Sequence, residues 1–175
     1  MKHRAKPLLA AIVLVALFPG CSNDAGHPAA PMTATEIPQG AATVSYTVLE
    51  EVTTQISAIV DRRRLVIRDA SAWEAFWDDL AARIEPWPDP PAIDFATHMV
   101  IAATMGQRTS GGFVISVEEV AEKDGTLYAK VQEVTPGVLC ITTDVITAPA
   151  VAVLVPRHSG PVAFVDKELA LPCAP

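Results

Sequence analysis

Ser110 and Ser159 carry hydroxyls, and His98 and His158 carry imidazoles that could take a proton from one of them, the chemistry of a Ser/His hydrolase. The local patterns argue against it. A nucleophile elbow needs a G-x-S-x-G turn between a strand and a helix, whereas "TSGGFV" leads from a loop into a strand. The same context excludes a phosphate loop, because no Gly-Lys-Ser/Thr follows Gly112 and no helix start stands there to receive an anion. The two histidines lack H-E-x-x-H spacing, so no metal site is expected. The expectation is a chain without catalytic residues, metal or cofactor. A hydrolase using Ser110 or Ser159 with His98 or His158 is the enzyme alternative.

Three cysteines carry the remaining chemistry. Cys21 follows a positive stretch (Lys2, His3, Arg4, Lys6) and an apolar run from Pro7 to Pro19. That run is shorter than the about 20 residues a bilayer span needs and fits a secretory signal peptide, residues 1–20. "LFPG" before Cys21 resembles the lipobox of bacterial lipoproteins, with Phe18 and Pro19 departing from the usual Leu and small residue. The resemblance implies cleavage before Cys21, acylation of its sulfur and a lipid-bilayer anchor. Ser22, rather than Asp, after the cysteine implies an outer membrane where the cell has one. Export leaves Cys140 and Cys173 in an oxidising compartment, where they are expected to form one disulfide. On the chain-entropy model such a bridge stabilises by about 3–4 kcal/mol.

Charge narrows the partners. The chain has 13 Lys+Arg against 20 Asp+Glu, net −7, and loses Lys2, Arg4 and Lys6 with the signal. Arg62, Arg63 and Arg64 form the one basic cluster, flanked by Asp61 and Asp69. Such a chain has no field for phosphate backbones, so nucleic acid is not an expected partner.

Residues 21–43, rich in Ala, Pro, Gly and small polar residues, show no sustained period and read as a flexible tether with a reach of roughly 25 Å. From Val44 to Pro175 the chain reads as one domain. "VSYTVLEEV", "QISAIV" and "RRLVIRD" look like strands. "SAWEAFWDDLAARI" is the one helix, from Ser71 to Ile84, with Ser71 and Glu74 spaced as a capping box. Trp73, Phe76, Trp77, Leu80 and Ile84 share its apolar stripe, which is expected to pack on a sheet rather than hold a ligand. "EPWPDPPAIDF" is a proline-broken connector. "HMVIAATMG" reads as a central strand covered on both faces. "GFVISVEEV" and "TLYAKVQEV" form a hairpin turned at Asp124–Gly125, and "PAVAVLVP" and "PVAFV" complete the strands. The fold class expected is α+β: an antiparallel-rich curved sheet of about seven or eight strands with one amphipathic helix packed on it.

The helix aromatics, "PAIDF", "MVIAATMGQRTSGGFVISVEEV", "LYAKVQEVTPG" and "VITAPAVAVLVPR", in this order, resemble the C-terminal domain of the protease complex subunit PrcB family. The resemblance covers roughly residues 70–165. Its most specific piece is a G-x-R-x-[ST]-G-G-aromatic run, here Gly106, Arg108, Ser110, Gly111, Gly112 and Phe113. Phe113 stands where the family usually has Tyr, and Pro149-Ala150 where it has a Pro-aromatic pair. What the resemblance implies is a small exported protein, often a lipoprotein, without established catalysis, in a family named for an accessory subunit of a protease complex. The expected function is a non-catalytic, membrane-tethered extracytoplasmic accessory or protein-interaction domain whose partner is another exported protein, with a protease as the candidate. Arg108, Thr109, Ser110, Gly111, Gly112 and Phe113 are the candidate contact residues. The alternative within binding is a protease inhibitor presenting the Gln107–Ser110 loop. The glycines of this run are expected to serve the backbone first.

Overall fold

The computed structural model describes residues 31–82 and 86–173. Cys21, Ile84 and the signal segment lie outside them.

The described residues form nine strands and one helix: β1 (Met32–Ala34), β2 (Ala42–Thr43), β3 (Thr47–Val48), β4 (Arg62–Ile67), α1 (Ala70–Ala81), β5 (His98–Met105), β6 (Val114–Lys123), β7 (Thr126–Pro136), β8 (Ala150–Pro156) and β9 (Val162–Leu171). They form two sheets rather than the single curved sheet expected. One has the order β1-β9-β7-β6-β2, the other β3-β8-β5-β4. The first is mixed, because β9 runs parallel to both β7 and β1.

Three layers result, and β5 and β8 show why. Met99, Ile101, Ala103 and Met105 face the other sheet and meet Val117, Val120, Leu127, Val131 and Phe164 in one core cluster. Val100 and Ala102 face the opposite way and join Trp73, Phe76, Trp77 and Leu80 of α1 in a second. Val151, Val153 and Val155 of β8 divide from Ala150 and Ala152 in the same manner. A strand apolar on both faces is the mark of a middle layer. The four-stranded sheet is that layer, between α1 and the five-stranded sheet. The expected two-sided cover of "HMVIAATM" is thus found, with a second sheet as one of the covers.

The helix starts one residue before Ser71 and is capped differently. Asp69, in extended conformation, accepts a hydrogen bond from the Ala72 N–H at 2.9 Å. An aspartate two positions before Ser71 takes the N-cap role, so Ser71 and Glu74 do not form the expected box. The helix ends at Ala81.

Upstream, two readings change. "QISAIV" forms no strand, and "VSYTVLEEV" contributes only β3. Leu49, Val52 and Ile59 are apolar because they are buried in the helix-side cluster. Their backbones are satisfied irregularly: Val52 N–H donates to Leu49 O, Ser57 N–H to Ala148 O, and Ala58 N–H to Leu80 O. Part of the segment read as tether is also in the fold. β1 pairs with β9 at one edge of its sheet and β2 with β6 at the other, so residues 35–41 cross the outer face as a strap. Lys123 Nζ donates to Gln39 O at 2.5 Å beneath it.

The hairpin turn is as expected, with positive φ at Asp124 (50°) and Gly125 (76°). A disulfide joins Cys140 to Cys173, also as expected.

Candidate interaction surface

Residues 106–113 connect β5, in the middle sheet, to β6, in the outer one. Gly106 makes the exit possible. Its φ is +73°, and a Cβ there would stand 2.6 Å from Val60 O and 2.9 Å from Arg62 N. Both the conformation and the space exclude a side chain. Gly106→Ala is therefore expected to cost about 1–3 kcal/mol. Gly125→Ala is the control, since φ is +76° there and nothing lies within 4 Å of the added methyl. Denaturant unfolding of the two variants separates strain from collision; equal losses would show that the backbone around Val60 yields freely.

The other candidate residues turn largely inward. Arg108 exchanges two backbone hydrogen bonds with Thr147, at 2.7 and 3.0 Å. Its guanidinium carbon lies 5.5 Å from the centroid of the Phe113 ring, a cation–π stack. Phe113 in turn packs against the core between the sheets. Thr147 donates its hydroxyl to Ser110 O at 2.8 Å, and Gly111 N–H donates to Thr143 O at 3.0 Å. Gly112, at φ +88°, packs against Pro136 and Thr142. Only Gln107, Thr109 and Gly112 of the run are exposed. The run thus latches the 142–147 segment to the end of the sandwich, and Arg108 is folded onto Phe113 rather than extended for insertion into a cleft.

The latched segment is what the sequence reading passed over. Residues 137–146, "GVLCITTDVI", loop out from the end of β7 and are tied by Cys140 to Cys173 just beyond β9. Val138 and Ile141 are fully exposed (103% each), and Leu139, Val145 and Ile146 are more than half exposed. Val114, Leu169 and Leu171 are exposed beside them, with Val114 and Leu169 both paired to Val134. Ile56 and Val60 adjoin Ile146 around a groove of about 260 Å³. Of the large apolar side chains exposed among the described residues, all but Met32 and Val48 sit at this end. Asp144 is the single charge in residues 137–156. An apolar run beside a cysteine, without strand or helix period, was the available signal.

Ser110 is far from His98, whereas Ser159 follows His158 in the loop after β8, whose last residue, Pro156, pairs with His98. His98 opens β5 and contacts the Thr97 hydroxyl through Nδ1, at 2.8 Å, while Ser110 lies beyond the strand's other end, about 25 Å away along eight residues of β rise. The Ser110 hydroxyl donates to Gly111 O. His158 Nε2 meets Gly125 O at 3.0 Å. Its loop is held by Arg68, which donates to His158 O and Gly160 O. Burial, and then the charge of Arg157, push the Arg68 guanidinium below its usual pKa. Hydrogen bonds from the Thr97 hydroxyl and then the Ala96 N–H hold the Asp94 carboxyl below its usual range. Among the described residues no three His, Cys, Asp or Glu converge where a metal ion could sit.

Residues 99–156 match the family model for the PrcB C-terminal domain. The match is about a third of the chain and runs from Met99 in β5 to the last residue of β8, enclosing both the 106–113 run and the 137–146 loop. No curated protein and no solved structure matches the chain.

Proposed function

We propose, from the premise that residues 99–156 carry a PrcB C-terminal domain, that this chain is an exported, non-catalytic interaction domain. It is tethered through Cys21 and docks its apolar end on another exported protein. A protease-complex component is the partner class to which the family points. The observation that carries this reading is the gathering of exposed Val138, Leu139, Ile141, Val145 and Ile146 at one end of the sandwich. Exposed apolar side chains clustered to this degree are costly in water and mark contact surfaces. The disulfide and the Arg108–Thr147 pairing hold the loop in shape before contact, which lowers the ordering cost of binding.

A photoreactive amino acid at Ile141, compared with one at Val48, tests this in the membranes of the native cell. Val48 is exposed on β3, outside the apolar end. An adduct with one exported protein from position 141 and none from position 48 is expected, and it should disappear when Val138 and Leu139 are both replaced by Asp. Equal labelling from both positions, or none from position 141, overturns the surface assignment. A soluble chain with an unacylated Cys21 peptide by mass spectrometry overturns the tether separately.

A further inference from the structure

We propose that the open edge of β9 is closed by a second copy of this chain, with the two β9 strands pairing antiparallel about a two-fold axis through Leu169. On its inner side β9 is bonded to β7 along its whole length. On its outer side β1 covers only Ala163, Phe164 and Val165. Leu171 O accepts from Gly137 N–H on the β7 side, and Pro161 O accepts from Leu127 N–H there too. By the alternation of a strand, Asp166, Glu168 and Ala170 direct their backbone groups outward. The Ala34–Val165 pairing takes the Asp166 N–H, and among the described residues none receives the backbone groups of Glu168 and Ala170. A strand edge left in this state is a template for another strand.

The register follows from what borders the open stretch. It begins after Val165, where β1 ends, and closes at Pro172, before the disulfide at Cys173. Its midpoint is Leu169. Centring there pairs Glu168 with Ala170 of the other copy, twice over, through outward-facing backbone groups. It also places the two Leu169 side chains against one another on the outer face. Centring on Glu168 would set two carboxylates directly opposite, which is unfavourable. It would also run Pro172 against Phe164, already paired with Thr33. Centring on Ala170 would set Pro172, which has no N–H to give, against the open Glu168 rather than against Asp166, whose N–H β1 already takes. The charges of the edge and the strand beside it therefore leave one register.

The same edge explains why the association stops at two. The opposite edge of the sheet is β2, two residues long, too short to extend a ribbon. A two-fold pair uses identical edges on both copies and is closed. Asp166, Lys167 and Glu168 keep unrelated strands away, while the exposed Leu169 gains the Leu169 of the other copy as an apolar neighbour. A contact of one short strand falls below the about 1,200 Å² of total area typical of stable complexes, so the pair is reversible and concentration-dependent. The dimer draws on Leu169 and Leu171 at the rim of the apolar end and on none of Val138, Leu139, Ile141, Val145 or Ile146, so its test is separate from that of the function proposed above.

Cysteine substitution in the full chain in its native membranes tests it. In the proposed register the Cβ atoms of two copies at position 169 stand about 4.5–5.5 Å apart, near enough to bridge on mild copper–phenanthroline oxidation. Leu169→Cys is expected to give a covalent dimer in at least tenfold the yield of Lys167→Cys, which would face Leu171 rather than itself. Ala170→Pro in the Leu169→Cys background removes an outward N–H and should abolish the dimer. Leu169→Lys, which places like charges on the axis, should likewise abolish the dimer given by Lys167→Cys with Leu171→Cys. Equal yields at positions 167 and 169, dimers that survive both disruptions, or adducts only with a different protein would overturn the proposal.

Discussion

Replacing Glu133 with alanine is expected to destabilise the fold by about 3–5 kcal/mol, read as a shift of the denaturant midpoint at constant slope. Arg62 and Arg64 alternate on β4 so that both point from the middle sheet toward the outer one. There Glu133 of β7 accepts from Arg62 Nε at 2.7 Å and from Arg64 Nη2 at 2.5 Å. Asp166 of β9 accepts from Arg64 Nε at 2.8 Å and Arg62 Nη2 at 3.0 Å. Arg64 and Glu133 are nearly sequestered, with side chains 8% and 5% exposed. Loss of Glu133 would leave the Arg64 guanidinium buried with Asp166 as its one carboxylate partner. The contrasting case is on the same strand. Arg63 pairs with Asp79 at 2.6 Å, but both side chains are open to water, and Arg63→Ala should cost no more than about 1 kcal/mol. Equal effects at the two sites would mean that water reaches the Glu133 network. A joint Arg64→Met, Glu133→Leu replacement should recover most of the loss, since it is the orphaned charge that costs, not the missing pair.

That network also bears on function. Arg62 is the register partner of Met105, the residue before Gly106. The ion pairs therefore clamp the two sheets together directly beneath the 106–113 run and the surface that it supports. The sequence shows the triple Arg as a lone basic cluster flanked by Asp61 and Asp69. It does not show that Arg62 and Arg64 face the outer sheet, with Arg64 nearly sequestered.

The legible and illegible parts of the fold divide on a physical line. Features set within one segment could be read directly: the aromatic stripe of α1, the strands β4 to β8, the Asp124–Gly125 turn, and the pairing of the two leftover cysteines. Features set by what a segment meets in space could not. "PVAFV" alternates identically whether its strand runs parallel or antiparallel to β7. "QISAIV" is apolar because it fills space beneath α1, and periodicity cannot distinguish that from a strand. The 32–43 segment is too poor in apolar residues to announce itself, because its hold comes from backbone pairing at two sheet edges. The candidate contact residues divide on the same line. The glycine-rich run was visible because its backbone geometry demands particular residues, and its backbone is bonded to Thr143 and Thr147 of the loop beside it. The apolar loop it supports has no geometric signature, and only its exposure distinguishes it.

Trp77→Ala is expected to cost about 3–5 kcal/mol, because it removes a large ring from the centre of the helix-side core. The ring is 4% exposed. It lies 5.6 Å from Trp73 and 6.2 Å, edge-on, from Trp87 of the proline-rich connector. Its indole N–H donates to Pro88 O at 3.0 Å, and that of Trp73 to Pro91 O at 3.1 Å. Prolines keep that connector out of helix and strand, and the two tryptophans tie its carbonyls back over α1. Trp77→Phe separates the two contributions. It keeps most of the packing and loses one hydrogen bond, so a loss of about 1–2 kcal/mol is expected. Were alanine no worse than phenylalanine, the cluster would not be packed as a core. An alanine loss under about 1 kcal/mol would make these rings a surface platform for a ligand instead. The apolar end would then have a rival as the place where this protein meets its partner.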